Sequence, residues 1–139
     1  PKPVSMEELC AGKKVVLFAV PGAFTPTCSV QHLPGFVTNA SNLRDKGADV
    51  VACIAVNDPF VMAAWGKDRS AGEDVLMLSD GNAEFTSAIG LEMDGSGFGL
   101  GTRSQRYAMI IDDGVVSTLN VESGPGLEVS SAETILEAL

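Results

Sequence analysis

Pro21-Gly22-Ala23-Phe24-Thr25-Pro26-Thr27-Cys28 decides how this chain reads, because it joins the apolar run Val15-Val16-Leu17-Phe18-Ala19-Val20 to a stretch with helical spacing. Such an uninterrupted apolar run is the pattern of a central strand covered on both faces. Pro21 and Pro26 hold φ at about −65° and Gly22 relaxes it, so the stretch predicts a tight, rigid strand-to-helix crossing rather than a linker. At the first turn of that helix, unpaired N–H groups and the positive dipole end favour a thiolate. The Cys28 pKa is therefore predicted to fall below the free value of about 8.5, which makes Cys28 a nucleophile. The alternative is a small buried cysteine that merely follows a turn.

Downstream, Val30, Leu33, Phe36, Val37, Ala40 and Leu43 recur at helical spacing up to a Lys46-Gly47 stop, with Pro34-Gly35 predicted to kink the helix. Ala48 to Val56 reads as a second apolar strand, so strand, helix and strand form a βαβ unit, with Cys53 a buried, inert thiol inside it. His32 lies four residues after Cys28, on the same helical face, and reads as a packed or capping histidine because a catalytic imidazole usually has an orienting partner. Upstream, Ser5-Met6-Glu7-Glu8 has the capping-box spacing and opens one short helix ending at Gly12, with Cys10 turned inward.

Asn57-Asp58-Pro59 starts a helix carrying Phe60, Val61, Ala64 and Trp65, the last a core or interface anchor. Val75 to Leu78 is a third strand, Ser79-Asp80-Gly81 its turn, and Asn82 to Ile89 a helix stopped by Gly90. Gly95-x-Gly97-x-Gly99-x-Gly101 lacks the Lys-Ser/Thr ending of a phosphate loop and reads as a mobile or closely packed loop. Arg103 and Arg106 open the strand Tyr107 to Ile111, which Asp112-Asp113-Gly114 folds back into Val115 to Val121. A capping box at Ser130-Ser131-Ala132-Glu133 opens the last helix, with Ile135, Leu136 and Leu139 as its apolar stripe. The order β-α-β-α-β-α-β-β-α predicts an α/β fold over residues 1–139, a single domain with a central mixed sheet and helices on both faces, on the thioredoxin-like plan.

Composition removes several function classes. The 139 residues carry a formal charge of −9, with 9 Lys and Arg against 18 Asp and Glu, which argues against a nucleic-acid partner. The longest apolar run falls well short of the roughly 18 residues of a membrane span, and no signal-peptide pattern opens the chain. Cys10, Cys28 and Cys53 are an odd set without a Cys-x-x-Cys pair, which fits free thiols in a reducing compartment. With His32 the single histidine, the sequence offers neither a zinc set nor a Cys-His-Asn triad, and no metal is expected.

Pro21-x-x-x-Thr25-x-x-Cys28, an arginine at the head of a late strand (Arg106) and this element order together resemble a peroxiredoxin. Pro21 to Ser29, His32-Leu33-Pro34-Gly35-Phe36 and Val56-Asn57-Asp58-x-Phe60-Val61 are similar to the type II branch, over nearly the whole chain. The resemblance implies a thiol-dependent peroxidase in which Cys28 attacks a peroxide oxygen and becomes a sulfenic acid, with no metal, flavin or haem cofactor. Arg106 would stabilise the thiolate and the leaving oxygen, Thr25 would accept from a peroxide O–H, and Pro21 would shield the thiolate and shape the pocket. Arg103 reads as a surface or secondary arginine, with Arg106 preferred by register.

Two departures bear on the partners. The segment that family members carry ahead of the Met6 helix is largely absent, so the first hairpin is expected to be missing or truncated. Internally resolving members place a second cysteine near the start of the last helix, and the matching region around Val129 holds none. The expected reductant is an outside thiol such as thioredoxin, glutaredoxin or glutathione. Exposed Phe24 and Phe60 predict a homodimer, and the setting is expected to be intracellular, cytoplasmic or organellar. The rival function is a thioredoxin-fold redox sensor or chaperone that uses Cys28 as a one-time switch.

Overall fold

The computed structural model describes residues 1–139. Its elements are α1 (Met6–Cys10), β1 (Lys14–Ala19), a π-helical turn (Cys28–His32) running into α2 (Leu33–Asp45), β2 (Val50–Ala55), α3 (Pro59–Asp68), β3 (Leu76–Ser79) and α4 (Glu84–Ala88). β4 (Glu92–Asp94), β5 (Thr102–Ser104), β6 (Tyr107–Asp112), β7 (Val115–Val121) and α5 (Ala132–Ala138) follow. Five strands form one sheet in the order β3-β2-β1-β6-β7. β1 pairs parallel with β2, and β2 with β3, while β6 runs antiparallel to both β1 and β7. The sheet is mixed, as the element order predicts.

β1 is the centre of this arrangement because every residue from Val15 to Val20 is fully buried. Alternation along the strand splits the core in two. Val16, Phe18 and Val20 face α2, α3 and α5 through Phe36, Leu43, Trp65 and Ile135. Val15, Leu17 and Ala19 face Leu9 and Cys10 of α1, with Phe85 of α4 packed alongside. Phe18 stacks on Phe36 at 4.0 Å between ring centroids, a pairing worth about 0.5–1.5 kcal/mol beyond area burial. Helices therefore cover both faces.

The local signals act where their chemistry is self-contained. The Ser5 side chain accepts from the Glu8 N–H, and Asp58 from the Val61 N–H ahead of Pro59. The last helix corrects the expectation by one residue: Ser131 caps it by accepting from the Thr134 N–H, while Ser130 is drawn away to Glu122. The glycine run also differs from a plain loop. It is the tip of a small hairpin in which β4 pairs with β5, and Gly95 is required there because a Cβ would stand 2.9 Å from that of Leu100 and 3.1 Å from the Gly101 carbonyl oxygen.

The helix after Cys28 departs furthest from simple periodicity. Pro34 has no N–H, and its ring crowds the carbonyl four residues back. The chain answers with a π-helical turn in which the Leu33 N–H reaches the Cys28 carbonyl, rather than with a simple kink. The extra residue breaks the phase of the apolar stripe. Val30, expected to be buried, is 66% exposed, while Ser29 and His32 are buried.

Candidate active site

β1 ends at the crossing, and the crossing is tied down from outside it. The Asn57 side chain accepts from the Ala23 N–H at 2.9 Å, and Ser79 Oγ donates to the Asn57 carbonyl. Phe24 is held at φ 65°, a left-handed conformation that costs a non-glycine residue of order 1 kcal/mol and persists only where neighbours enforce it. The Trp65 indole donates to Ser29 Oγ at 2.9 Å and so pins the residue after Cys28. Sequence order, packing and backbone strain thus converge on one buried sulfur, since Cys28 has no exposed surface.

Two polar groups meet that sulfur. Thr25 Oγ1 lies 2.9 Å from Cys28 Sγ, and Arg106 Nη2 donates to Sγ at 3.1 Å. Thr25 Oγ1 is also 2.7 Å from the Gly22 carbonyl oxygen, so its single hydrogen has two acceptors within reach. A Cys28 thiolate can take that hydrogen. When the hydrogen turns to Gly22, the lone pairs of Oγ1 are free to accept from a group bound at the sulfur. The Arg106 guanidinium is 7% exposed and always charged, so it supplies a desolvated positive charge against Sγ.

The other end of that guanidinium defines the state of His32. Arg106 Nη1 lies 2.8 Å from His32 Nδ1, and His32 Nε2 lies 2.9 Å from the Ser130 carbonyl oxygen. A guanidinium can only donate and a carbonyl can only accept, so Nδ1 must be bare and Nε2 must carry the proton. Burial, and then the Arg106 charge, pull the His32 pKa down to about 3, with the Ser130 bond and Glu122 opposing. The imidazole is neutral at physiological pH.

Of the residues singled out in the sequence, Cys28, Thr25 and Arg106 are brought together, and Pro21 sits half-buried at the end of β1. Arg103 does not reach the sulfur. Its Nε donates to the Leu100 carbonyl, and its Nη1 packs 3.3 Å from where a Gly22 Cβ would stand. His32 is buried as expected, yet it has the orienting partners that the sequence did not reveal; its i+4 spacing from Cys28 was the available signal. Glu122 and Ser130 were missed. The signal for Glu122 was slight: one acidic residue directly after the strand Val115 to Val121 and ahead of Ser123-Gly124-Pro125-Gly126.

The chain matches the Redoxin family over residues 1–136. It is 58% identical over 140 residues to "Peroxiredoxin-2E, chloroplastic" of Arabidopsis thaliana and 58% identical over 141 residues to "Peroxiredoxin-2E-2, chloroplastic" of Oryza sativa subsp. japonica, in both cases over 99% of this chain. It spans 60% and 63% of the lengths of those two relatives. Among solved structures, reduced Prx3 in complex with H2O2 from Vibrio vulnificus superimposes with a TM-score of 0.92 at 65% identity, covering 96% of this chain and 86% of that one. Sequence likeness along nearly the whole chain, a shared fold, and a cysteine, a threonine and an arginine meeting where the motif requires assign this protein to the redoxin family and, within it, to the type II peroxiredoxins.

Proposed function

We propose that the chain is a thiol peroxidase that reduces hydrogen peroxide or small organic hydroperoxides through Cys28. The observation that carries this reading is one buried sulfur with Thr25 Oγ1 at 2.9 Å and Arg106 Nη2 at 3.1 Å. The Cys28 thiolate attacks one peroxide oxygen. The S–O bond forms as the O–O bond breaks, sulfur gives up two electrons, and the leaving oxygen takes a proton and departs as water or an alcohol. Arg106 offsets the charge growing on that oxygen, Thr25 accepts from the peroxide O–H while donating to Gly22, and Pro21 keeps water off the thiolate.

Regeneration uses two equivalents of an outside thiol, for which thioredoxin, glutaredoxin and glutathione are the candidates. The first attacks the sulfenic sulfur, forms a mixed disulfide and releases water; the second takes over the first thiol as a disulfide and frees Cys28. Cys28 is fully buried, so an outside thiol reaches it only when the turn around it opens. Cys10 packs on the opposite face of the sheet from Cys28, and Cys53 is held inside β2, so neither is a ready partner for an internal disulfide without local unfolding. Phe24 and Phe60, 51% and 71% exposed, offer aromatic surface for a second copy of the chain, and a homodimer forms there. A monomeric mass by light scattering at tens of micromolar protein removes that part. Three free, buried thiols suit a reducing compartment, cytoplasmic or organellar.

The test is steady-state turnover of hydrogen peroxide with each of the three thiol systems, beside the mass of the protein after one equivalent of peroxide. Sustained turnover together with a one-oxygen adduct on Cys28 supports the enzyme. The same adduct without turnover in any of the systems makes Cys28 a one-time redox sensor, and no adduct overturns both readings.

A further inference from the structure

One carboxylate far from the sulfur in sequence, in the residue directly after β7, is buried and held by four hydrogen bonds. Glu122 Oε2 alone accepts from the backbone N–H groups of Glu128, Val129 and Ser130 at 3.0, 2.8 and 2.8 Å, and from Ser130 Oγ at 2.7 Å. Burial opposes the charge on this carboxyl, yet the bonds from Ser130, Val129 and Glu128 outweigh it and hold its pKa below the usual carboxylate value. The side chain is 9% exposed and makes no ion pair. Its one function within reach is to gather the segment before α5 into a fixed curl.

What that curl presents is the Ser130 carbonyl, the acceptor for His32 Nε2 at 2.9 Å. His32 Nδ1 in turn takes Arg106 Nη1 at 2.8 Å, and Arg106 Nη2 takes Cys28 Sγ at 3.1 Å. The connection also closes through the backbone, because the Glu122 N–H donates to the carbonyl oxygen of Arg106 at 2.9 Å. Arg106 is thereby held twice by one residue, at its main chain directly and at its guanidinium through Ser130 and His32. Every member is buried, so a displaced carbonyl at Ser130 has no water at hand to replace it. We propose that Glu122 is a positioning residue for the Cys28 reaction, acting through the Ser130 carbonyl and the His32 imidazole to fix the Arg106 guanidinium against the sulfur. The proposal rests on the peroxidase reading above.

Reach and charge make different demands, and three substitutions separate them. Glu122→Gln keeps the length and one acceptor oxygen for the segment, and the other carboxylate oxygen enters none of the four bonds, so an amide nitrogen there displaces nothing. Glu122→Asp keeps the charge but draws the carboxylate back by one methylene. Glu122→Ala removes both. The readouts are the rate of Cys28 oxidation by hydrogen peroxide in a single turnover and the ¹⁵N spectrum of the His32 ring, which reports whether the proton stays on Nε2. Glu122→Gln is expected within about threefold of the parent, with one tautomer, while Asp and Ala fall about tenfold to a hundredfold and show mixed tautomers. If Ala does not fold, Asp against Gln still decides. Full rate with a single tautomer in Asp overturns the proposal, as does an Asp variant faster than Gln, which would make the charge rather than the curl responsible. A parent protein that does not consume peroxide at all overturns the peroxidase reading instead, and the tautomer order then stands as a separate result.

Discussion

Cys28 and Cys53 share one core cluster and both are fully buried, yet the molecule treats their sulfurs in opposite ways. Cys53 lies in the middle of β2, among apolar neighbours, and burial first, then the neighbouring Cys28, push its thiol well above the ordinary value. Its backbone is consumed by pairing with β1 and β3, and no hydrogen bond reaches its sulfur from a side chain. Cys28 sits at the opening of a π-helical turn beside a strained Phe24, and receives Thr25 and Arg106. Burial by itself favours the neutral thiol, so a buried cysteine becomes a nucleophile only where donors or a positive charge are aimed at its sulfur. A strand interior cannot supply them, because its backbone groups are paired and its side chains are packed, whereas an irregular turn at a helix start leaves room for both.

The sharpest way to break this contrast is to remove each sulfur in turn. Cys28→Ser is expected to abolish peroxide consumption with the fold intact, since a serine hydroxyl stays un-ionised near neutral pH and is a poor nucleophile toward O–O bonds. Near-normal turnover in that variant would remove Cys28 from its role. The donors come next. Arg106→Lys should slow Cys28 oxidation by about tenfold to a thousandfold, because an ammonium cannot bond both the sulfur and His32 in one plane. Arg103→Lys should have a much smaller effect, and the reverse order would mean that the wrong arginine had been assigned.

His32 sharpens the contrast through pH. Its pKa in the folded protein, about 3, lies below the ordinary value of roughly 6.5, so the unfolded chain binds a proton that the native state refuses. The stability this contributes is complete above about pH 6.5 and is lost as pH falls toward 3, at up to about 1.4 kcal/mol per pH unit. Glu122, also held below its ordinary value, adds a loss of the same sign at lower pH. Urea unfolding should therefore show about 2 kcal/mol less stability at pH 5 than at pH 7, with His32→Gln flattening the difference. Equal stability at both values in the parent would mean that His32 takes up its proton in the fold as readily as in the unfolded chain. The smallest effect is expected at the inert sulfur: Cys53→Ala should leave peroxide turnover unchanged and cost about 1 kcal/mol in denaturant unfolding. A tenfold loss of turnover there would erase the distinction between the two cysteines.

By itself the sequence determined β1, the strand-to-helix crossing, the cap at Ser5, the helix start at Pro59 and the β6–β7 hairpin, and it pointed to Cys28 as the candidate nucleophile, because each is carried by residues within a few positions of one another. Period, capping chemistry and turn residues act at that range, and short-range signals survive in a linear string. Three things were decided only in the tertiary structure. The π-helical turn put Val30 outside and His32 inside, a phase change that a regular 3.6-residue period cannot show. The glycine run became a hairpin because Gly95 meets Leu100 and Gly101 across it. Arg106 was named through the family resemblance, but its bond to the sulfur and the chain from Glu122 to His32 depend on bonds between residues 78, 74 and 98 positions apart, where no local pattern marks the partner. Hydrogen bonds of that reach form only after the sheet has set β6 beside β1 and α5 beside α2, so their geometry belongs to the packed molecule.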